Sequence, residues 1–161
     1  MAKKVKVKKT LVEQILTKAG VDHQGIQINA LEGELPSDYD RNHIFKTLAL
    51  LGDKTGPVIG IVPITEHLSE KKLAKISGNK KVAMIPQKDL EKTTGYIHGA
   101  NNPVGIRQKH NYPIFIDETA LELEKMIVSA GEVGHSIIIA PKDLANFVKA
   151  EFVDILEESN L

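Results

Sequence analysis

Asn42-His43-Ile44-Phe45-Lys46-Thr47-Leu48-Ala49-Leu50-Leu51-Gly52 is the stretch on which the fold turns, because it sets one charge inside an otherwise apolar run. Side chains of a strand alternate between faces, so Ile44, Lys46, Leu48 and Leu50 share one side and Phe45, Thr47, Ala49 and Leu51 the other. Apolar residues on both sides mean a strand covered on both sides, and a lysine there must reach a pocket, a mouth or a partner. Lys46 is therefore the first functional candidate. A second reading lays its stem over apolar surface at a rim with the ammonium in water, and a helical reading of 45–51 also fits so short an apolar run.

Outward from this stretch, Gly52 to Pro57 reads as a turn and Val58-Ile59-Gly60-Ile61-Val62 as a second apolar strand, which makes the pair a hairpin in the middle of the fold. Upstream, Thr10-Leu11-Val12-Glu13 is a capping box, with Leu11, Val12, Ile15 and Leu16 striping a helix of about Leu11 to Ala19. Gly25 to Asn29 alternates as a strand, and Glu32 to Asp40 is a polar, turn-rich loop. Downstream, Ser69 caps a helix over Glu70 to Ile76 closed by Gly78, Lys81 to Ile85 returns as a strand, and Pro86 opens a helix to about Lys92 ended by Gly95. The segment 95–105 reads as a glycine-rich loop. Strands follow at Tyr112 to Ile116, Met126 to Ala130 and His135 to Ala140, with a helical turn or two at Glu118 to Leu123. A last helix opens at Pro141 with Leu144, Phe147 and Val148 inward, and Phe152 to Ile155 reads as a final short strand. Hairpins mixed with single helices argue an α+β fold with a curved, mostly antiparallel sheet in one domain, residues 1–161, preceded by a basic segment at 1–9.

With 161 residues, 42% hydrophobic and 26% charged, the chain has the composition of a soluble globular domain, and no apolar run is long enough to span a bilayer. The expected compartment is the cytoplasm. No cysteine is present, which excludes disulfides, thiolate metal sites and a cysteine nucleophile of the protein's own. The zero net charge is unevenly spread: residues 1–110 carry 18 basic against 11 acidic side chains, whereas 111–161 carry 3 against 10. Lysines cluster at Lys3 to Lys9, at Lys71, Lys72 and Lys75, and at Lys80 and Lys81, where they suit a polyanion or a merely solvated face.

Six scattered histidines, none three or four apart on an expected helix, argue against a metal site. The dinucleotide, P-loop and Gly-x-Ser-x-Gly patterns are all absent. What remains is Lys46 together with the loop holding Gly95, Gly99 and Gly105, whose amides could hold an oxyanion or phosphate; a pair of tight turns is the other reading of that loop. Ser129-Ala130-Gly131 offers a hydroxyl at a strand end, or an ordinary hairpin turn.

Phe45-Lys46-Thr47-Leu48, Gly95-Tyr96, Gly99-x-x-x-Pro103-x-Gly105, Pro113 to Asp117, Ser129-Ala130-Gly131 and Ala140-Pro141-x-Asp143-Leu144 occur in an order that resembles the YbaK/EbsC family of aminoacyl-tRNA deacylases, related to the editing domain of bacterial prolyl-tRNA synthetases. The resemblance implies a compact YbaK-like α/β domain, its curved mixed sheet forming at most a partial barrel among helices. It implies hydrolysis in trans of mischarged tRNA(Pro), first of all Cys-tRNA(Pro), with Ala-tRNA(Pro) the alternative. Lys46 would be the essential lysine. Thr47, Gly99, Ala100, Asn101, Asn102, Pro103, Gly105 and Ser129 would form the substrate-binding set, without metal or organic cofactor. The acceptor end of tRNA is the implied partner, with prolyl-tRNA synthetase as a second. Members often carry a tyrosine in the strand after the first helix and a basic residue after the Ser129 position; this chain has Gly25 to Ile28 and Glu132 there. A binding module that holds the acceptor end without cleaving it, and a protein-interaction domain using the acidic end segment, are the competing classes.

Overall fold

In the computed structural model, which describes residues 9–27, 35 and 37–158, the first helix begins where its capping box requires. Helix α1 spans Leu11–Lys18; Glu13 N donates to Thr10 Oγ1 at 3.2 Å and Thr10 N donates to the Glu13 carboxylate at 2.8 Å. Val12 and Leu16 are buried beneath it. Strand β1, Gln24–Gln27, follows. Lys3, Lys4, Lys6 and Lys8, the expected strand residues Ile28 and Asn29, and Glu32, Gly33, Glu34 and Pro36 of the expected loop lie outside the described residues.

Strands β2, Phe45–Gly52, and β3, Gly56–Pro63, form the expected hairpin, with Lys46 opposite Val62 and Gly52 opposite Gly56. Both faces of β2 are covered, as its composition requires. Phe45 and Ala49 join the main core with Ile59, Ile61, Val104 and Val128, while Leu50 joins a second cluster with Leu73, Val82 and Ile155. The exception is Leu51, 56% exposed where the strand runs out toward the hairpin turn.

Helix α2, Glu70–Ser77, is capped by Ser69 and closed by Gly78 at φ 82°, a left-handed conformation that costs glycine nothing. Strand β4, Val82–Met84, and helix α3, Gln87–Thr94, then lead into the glycine-rich segment. Here the structure departs from the sequence reading. Pro103–Lys109 is not loop but helix α4: Asn102 Oδ1 accepts from Gly105 N at 2.7 Å, and Pro103 occupies the first turn, where a missing N–H costs nothing. Strands β5, Ile114–Asp117, β6, Met126–Glu132, and β7, His135–Ile139, helix α5, Pro141–Val148, and strand β8, Glu151–Val153, complete the order, with a 3-10 turn over Glu118–Glu122.

The strands form two sheets, a three-stranded β1-β7-β6 and a five-stranded β4-β2-β3-β5-β8. Four of the six pairings are antiparallel; β3-β5 and β5-β8 are parallel, which makes the larger sheet mixed. A lone parallel bridge between Ile44 and Ile127 stitches the sheets together, and they do not close into a barrel. Among the described residues no helix is long and apolar enough to cross a membrane.

Candidate active site

The site is a consequence of β2 being longer than its second neighbour. Ile64 N donates to Ile44 O at 2.9 Å, which fixes the antiparallel phase: Ile44, Lys46 and Leu48 turn their backbone groups toward β3, and Phe45, Thr47 and Ala49 turn theirs away. On that far side β4 pairs only with Leu50 to Gly52, and β6 forms a bridge only at Ile44. Between them the edge has no partner strand among the described residues. Two of its carbonyls are met singly, Ala49 O by Ile85 N at 3.1 Å and Thr47 O by Asn101 Nδ2 at 3.0 Å.

A cleft of about 470 Å³ opens over this gap. Because it wraps a sheet edge, it draws side chains from both faces of β2: Phe45, Thr47 and Ala49 from one, Ile44, Lys46 and Leu48 from the other. Leu90 and Val128 extend its apolar wall; His98, Ser129 and His135 bring polar groups, and Met84 and Val133 are exposed beside them. Lys46 is half-buried here and makes no hydrogen bond or ion pair with any described residue. A cation at the border of an apolar cleft, with no carboxylate to neutralise it, is available for an anionic group or for charge developing on an oxygen.

Two further groups are left without partners. Thr47, 9% exposed, and Asn101, 8% exposed, both line the cleft, and Thr47 Oγ1 and Asn101 Oδ1 have no hydrogen-bond partner among the described residues. The bond from Asn101 Nδ2 to Thr47 O settles which way the amide faces, so its oxygen remains an acceptor in need of a donor. Leaving a buried polar group without a hydrogen bond costs about 1–3 kcal/mol, so each of these two calls for a partner from solvent or from a ligand.

The expected substrate-binding set divides. Lys46, Thr47, Gly99, Asn101 and Ser129 come together around the cleft, although Lys46 and Ser129 lie 83 positions apart in the chain. Ala100, Asn102, Pro103 and Gly105 do not line it; they are buried and hold the loop in shape. Asn102 also donates Nδ2 to Ala100 O at 3.0 Å, closing the turn that presents Asn101. Gly105 is small because Tyr96 lies on it, and a Cβ there would come within 2.6 Å of the ring carbon Cε2. The expectation that amides of the glycine-rich segment face a ligand is corrected for Gly95 and Gly105. Gly95 N, Ala100 N and Gly105 N are taken by Glu91 O, Ile97 O and Asn102 Oδ1, which leaves Gly99 as the one of the segment's three glycines that lines the cleft, and alternation aims the main-chain N–H of Thr47 on the strand edge toward the same space.

Ser129 sits at a bulge in β6, where pairing shifts between Ser129 and Glu132. Its hydroxyl accepts from Gly131 N at 3.2 Å and reaches Gly99 O at 3.5 Å, which joins the bulge to the loop at the back of the cleft. His98 and His135 were not legible as a pair, because they lie 37 positions apart in the chain and only the fold brings both to one cleft. Among the described residues no three His, Cys, Asp or Glu side chains gather where a metal ion could sit.

Residues 36–147 match the family model of the aminoacyl-tRNA editing domain. An Enterococcus faecalis protein, provisionally named Cys-tRNA(Pro)/Cys-tRNA(Cys) deacylase EbsC, is 37% identical over 96% of this chain and 98% of its own length. Among solved structures, one described as a candidate trans-editing enzyme for prolyl tRNA synthetase superposes with a TM-score of 0.78 at 22% identity, covering 91% of this chain and 95% of that one. A protein known as APE2540 superposes at 0.80 with 20% identity over 91% of this chain and 99% of its own. At such identities the superpositions establish the fold, and the family match carries the rest: this chain belongs to the aminoacyl-tRNA editing domain family.

Proposed function

We propose that this protein is a trans-acting deacylase that cleaves the aminoacyl ester of mischarged tRNA(Pro), with cysteine or alanine as the amino acid removed. The observation that carries the reading is the grouping of one uncompensated cation, Lys46, with two buried, unpartnered acceptors, Thr47 Oγ1 and Asn101 Oδ1, in a largely apolar cleft. An aminoacyl ester presents the complementary set. Its α-amino group donates to the two acceptors, its small side chain occupies apolar space beside Phe45 and Val128, and its carbonyl oxygen lies toward Lys46. A cleft of about 470 Å³ is within the range of small-molecule sites and holds such a group with part of the terminal nucleoside.

The ester is already activated, so positioning and charge stabilisation suffice. When a nucleophile adds to the carbonyl carbon, negative charge moves onto the carbonyl oxygen, where the Lys46 ammonium and the Thr47 main-chain N–H stabilise it. The ribose oxygen then leaves with the pair of electrons of the broken C–O bond and takes up a proton. For a cysteinyl ester the substrate's own thiol can be the nucleophile, while an alanyl ester requires water. A second sieve of this kind serves a synthetase whose proline pocket cannot strongly reject smaller amino acids. The relative named as a Cys-tRNA(Pro)/Cys-tRNA(Cys) deacylase supports this substrate class, and prolyl-tRNA synthetase in the cytoplasm is the natural supplier of the mischarged tRNA.

The test is to incubate the protein with Cys-, Ala- and Pro-charged tRNA(Pro) and follow release of the amino acid. Faster release than in buffer from the cysteinyl or alanyl ester, with the prolyl ester spared, is the expected result. Binding of tRNA without release of any amino acid would instead make the domain an acceptor-end binding module.

A further inference from the structure

From Lys71 to Lys88 the chain carries six lysines and no acidic residue. The fold sends the end of this segment along one edge of the larger sheet. In the order β4-β2-β3-β5-β8, β4 and β8 are the opposite margins. The β8 margin is acidic, with Glu151, Asp154, Glu157 and Glu158 exposed in or after the strand. The β4 margin is basic. Lys80 and Lys81 precede the strand, Lys54 lies in the adjoining hairpin turn, Lys75 is near the end of α2 and Lys88 opens α3; all are exposed. Lys72 is not part of this group, since it bonds Asp154 at 3.1 Å on the acidic side. The acidic side chain that faces the basic margin is Asp53, whose carboxylate accepts from Lys80 N at 2.9 Å and Lys81 N at 3.0 Å.

The basic margin leads into the cleft. Met84, the last residue of β4, and Ile85 and Gln87 just beyond it are part of the cleft wall. At about 3.3 Å per residue, the extended run from Lys81 to Ile85 is on the order of 13 Å long, which matches about four nucleotides at 3.4 Å of strand axis each. We propose that the β4 margin, with Lys80 and Lys81 at its centre, is the docking surface for the polynucleotide backbone that carries the ester, meeting phosphates about four nucleotides behind the cleft. This rests on the deacylase reading for what fills the cleft. The lysines themselves specify only a polyanion approaching from this side, and the acidic β8 margin repels one from the other.

The experiment compares wild type with the double variant Lys80→Ala/Lys81→Ala and the charge reversal Lys80→Glu/Lys81→Glu, using Lys125→Ala/Lys142→Ala as a control. Affinity for uncharged tRNA(Pro) is measured against salt, and hydrolysis is measured on alanyl-tRNA(Pro) and on the same aminoacyl group carried by its last three nucleotides alone. Each phosphate contact contributes about 0.9 decade of affinity at 0.1 M salt relative to 1 M, so the alanine variant should bind tRNA about 8- to 60-fold more weakly, with the salt slope reduced by about 1 to 2. Its kcat, and its kcat/KM on the trinucleotide ester, should match wild type; the charge reversal should weaken tRNA binding further, and the control should change neither. A tRNA affinity within twofold of wild type in both variants at Lys80 and Lys81, or equal loss on the long and short substrates, overturns the proposal. Should wild type cleave neither substrate, the deacylase reading falls, while the tRNA affinities still decide the docking surface.

Discussion

Thr47→Val separates ligand recognition from stability, because the two should move in opposite directions. Valine keeps the β-branched shape that suits a strand and removes only the hydroxyl. In the free protein that hydroxyl is buried at 9% exposure and bonded to no described residue, so removing it should recover part of an unmade hydrogen bond, about 1–3 kcal/mol. For a chain of this size that corresponds to a rise in Tm of about 2–10 °C. In the complex the same hydroxyl meets the substrate's α-amino group. A hydrogen bond to a charged group is worth about 1.5–3 kcal/mol, so kcat/KM on alanyl-tRNA(Pro) should fall about 10- to 150-fold. Thermal unfolding followed by circular dichroism gives the first quantity, and initial rates of amino acid release give the second. A variant that melts lower than wild type and turns over normally would refute the reasoning, since the hydroxyl would then be bonded within the free protein and idle in the reaction.

Two other perturbations probe the frame around the cleft. Gly105→Ala places a methyl group against the Tyr96 ring, which also carries Lys109 at 4.7 Å from its centroid; overpacking of this kind should cost about 1–3 kcal/mol in urea unfolding, despite alanine's better helix propensity. At the β4 margin, the backbone N–H of Lys81 is the main cause holding the Asp53 carboxyl below its ordinary pKa, assisted by the N–H of Lys80. A depressed carboxyl pKa stabilises the fold above the ordinary carboxylate range, near about pH 4, and that contribution disappears as pH falls through the folded value. Asp53→Asn should therefore be less stable than wild type at pH 6, with the gap closing as the pH falls through the lowered carboxyl range; a gap that stays constant with pH would contradict the assignment.

The features that were legible in the sequence are those written in local patterns. Apolar residues on both faces of 45–51 predict a doubly covered strand, and the structure buries Phe45 and Leu50 on opposite sides. The Thr10 to Glu13 capping box, Ser69 and Gly78 mark helix ends correctly because each acts within one turn of its own helix. Helix α4 escaped because Gly105 argues against a helix interior, and its reason for being there, the Tyr96 ring, lies nine residues away. The Asn102-Pro103 pair was the available signal, an N-cap followed by proline, overshadowed by the glycines around it. The parallel pairing of β3 with β5 depends on a crossover of some fifty residues, which no local pattern reports.

The site divides along the same line. Lys46 stands out in the sequence because a charge in an apolar strand is anomalous wherever it occurs. That Asn101 bonds Thr47 O, and that both side chains then keep an unmet acceptor, follows from the gap between β4 and β6 and could be seen only in three dimensions. The same holds for the division of charge between the two margins of the larger sheet, which a net charge of zero conceals.

The most direct test of the central claim is the single-turnover rate of amino acid release from Ala- or Cys-tRNA(Pro) by Lys46→Ala, measured beside wild type on protein whose folding has been verified by its thermal transition. Removing the cation should leave the fold intact, because Lys46 bonds no described residue, and should slow release by about 10²–10³-fold or more. Release at the wild-type rate from a folded variant would contradict the account.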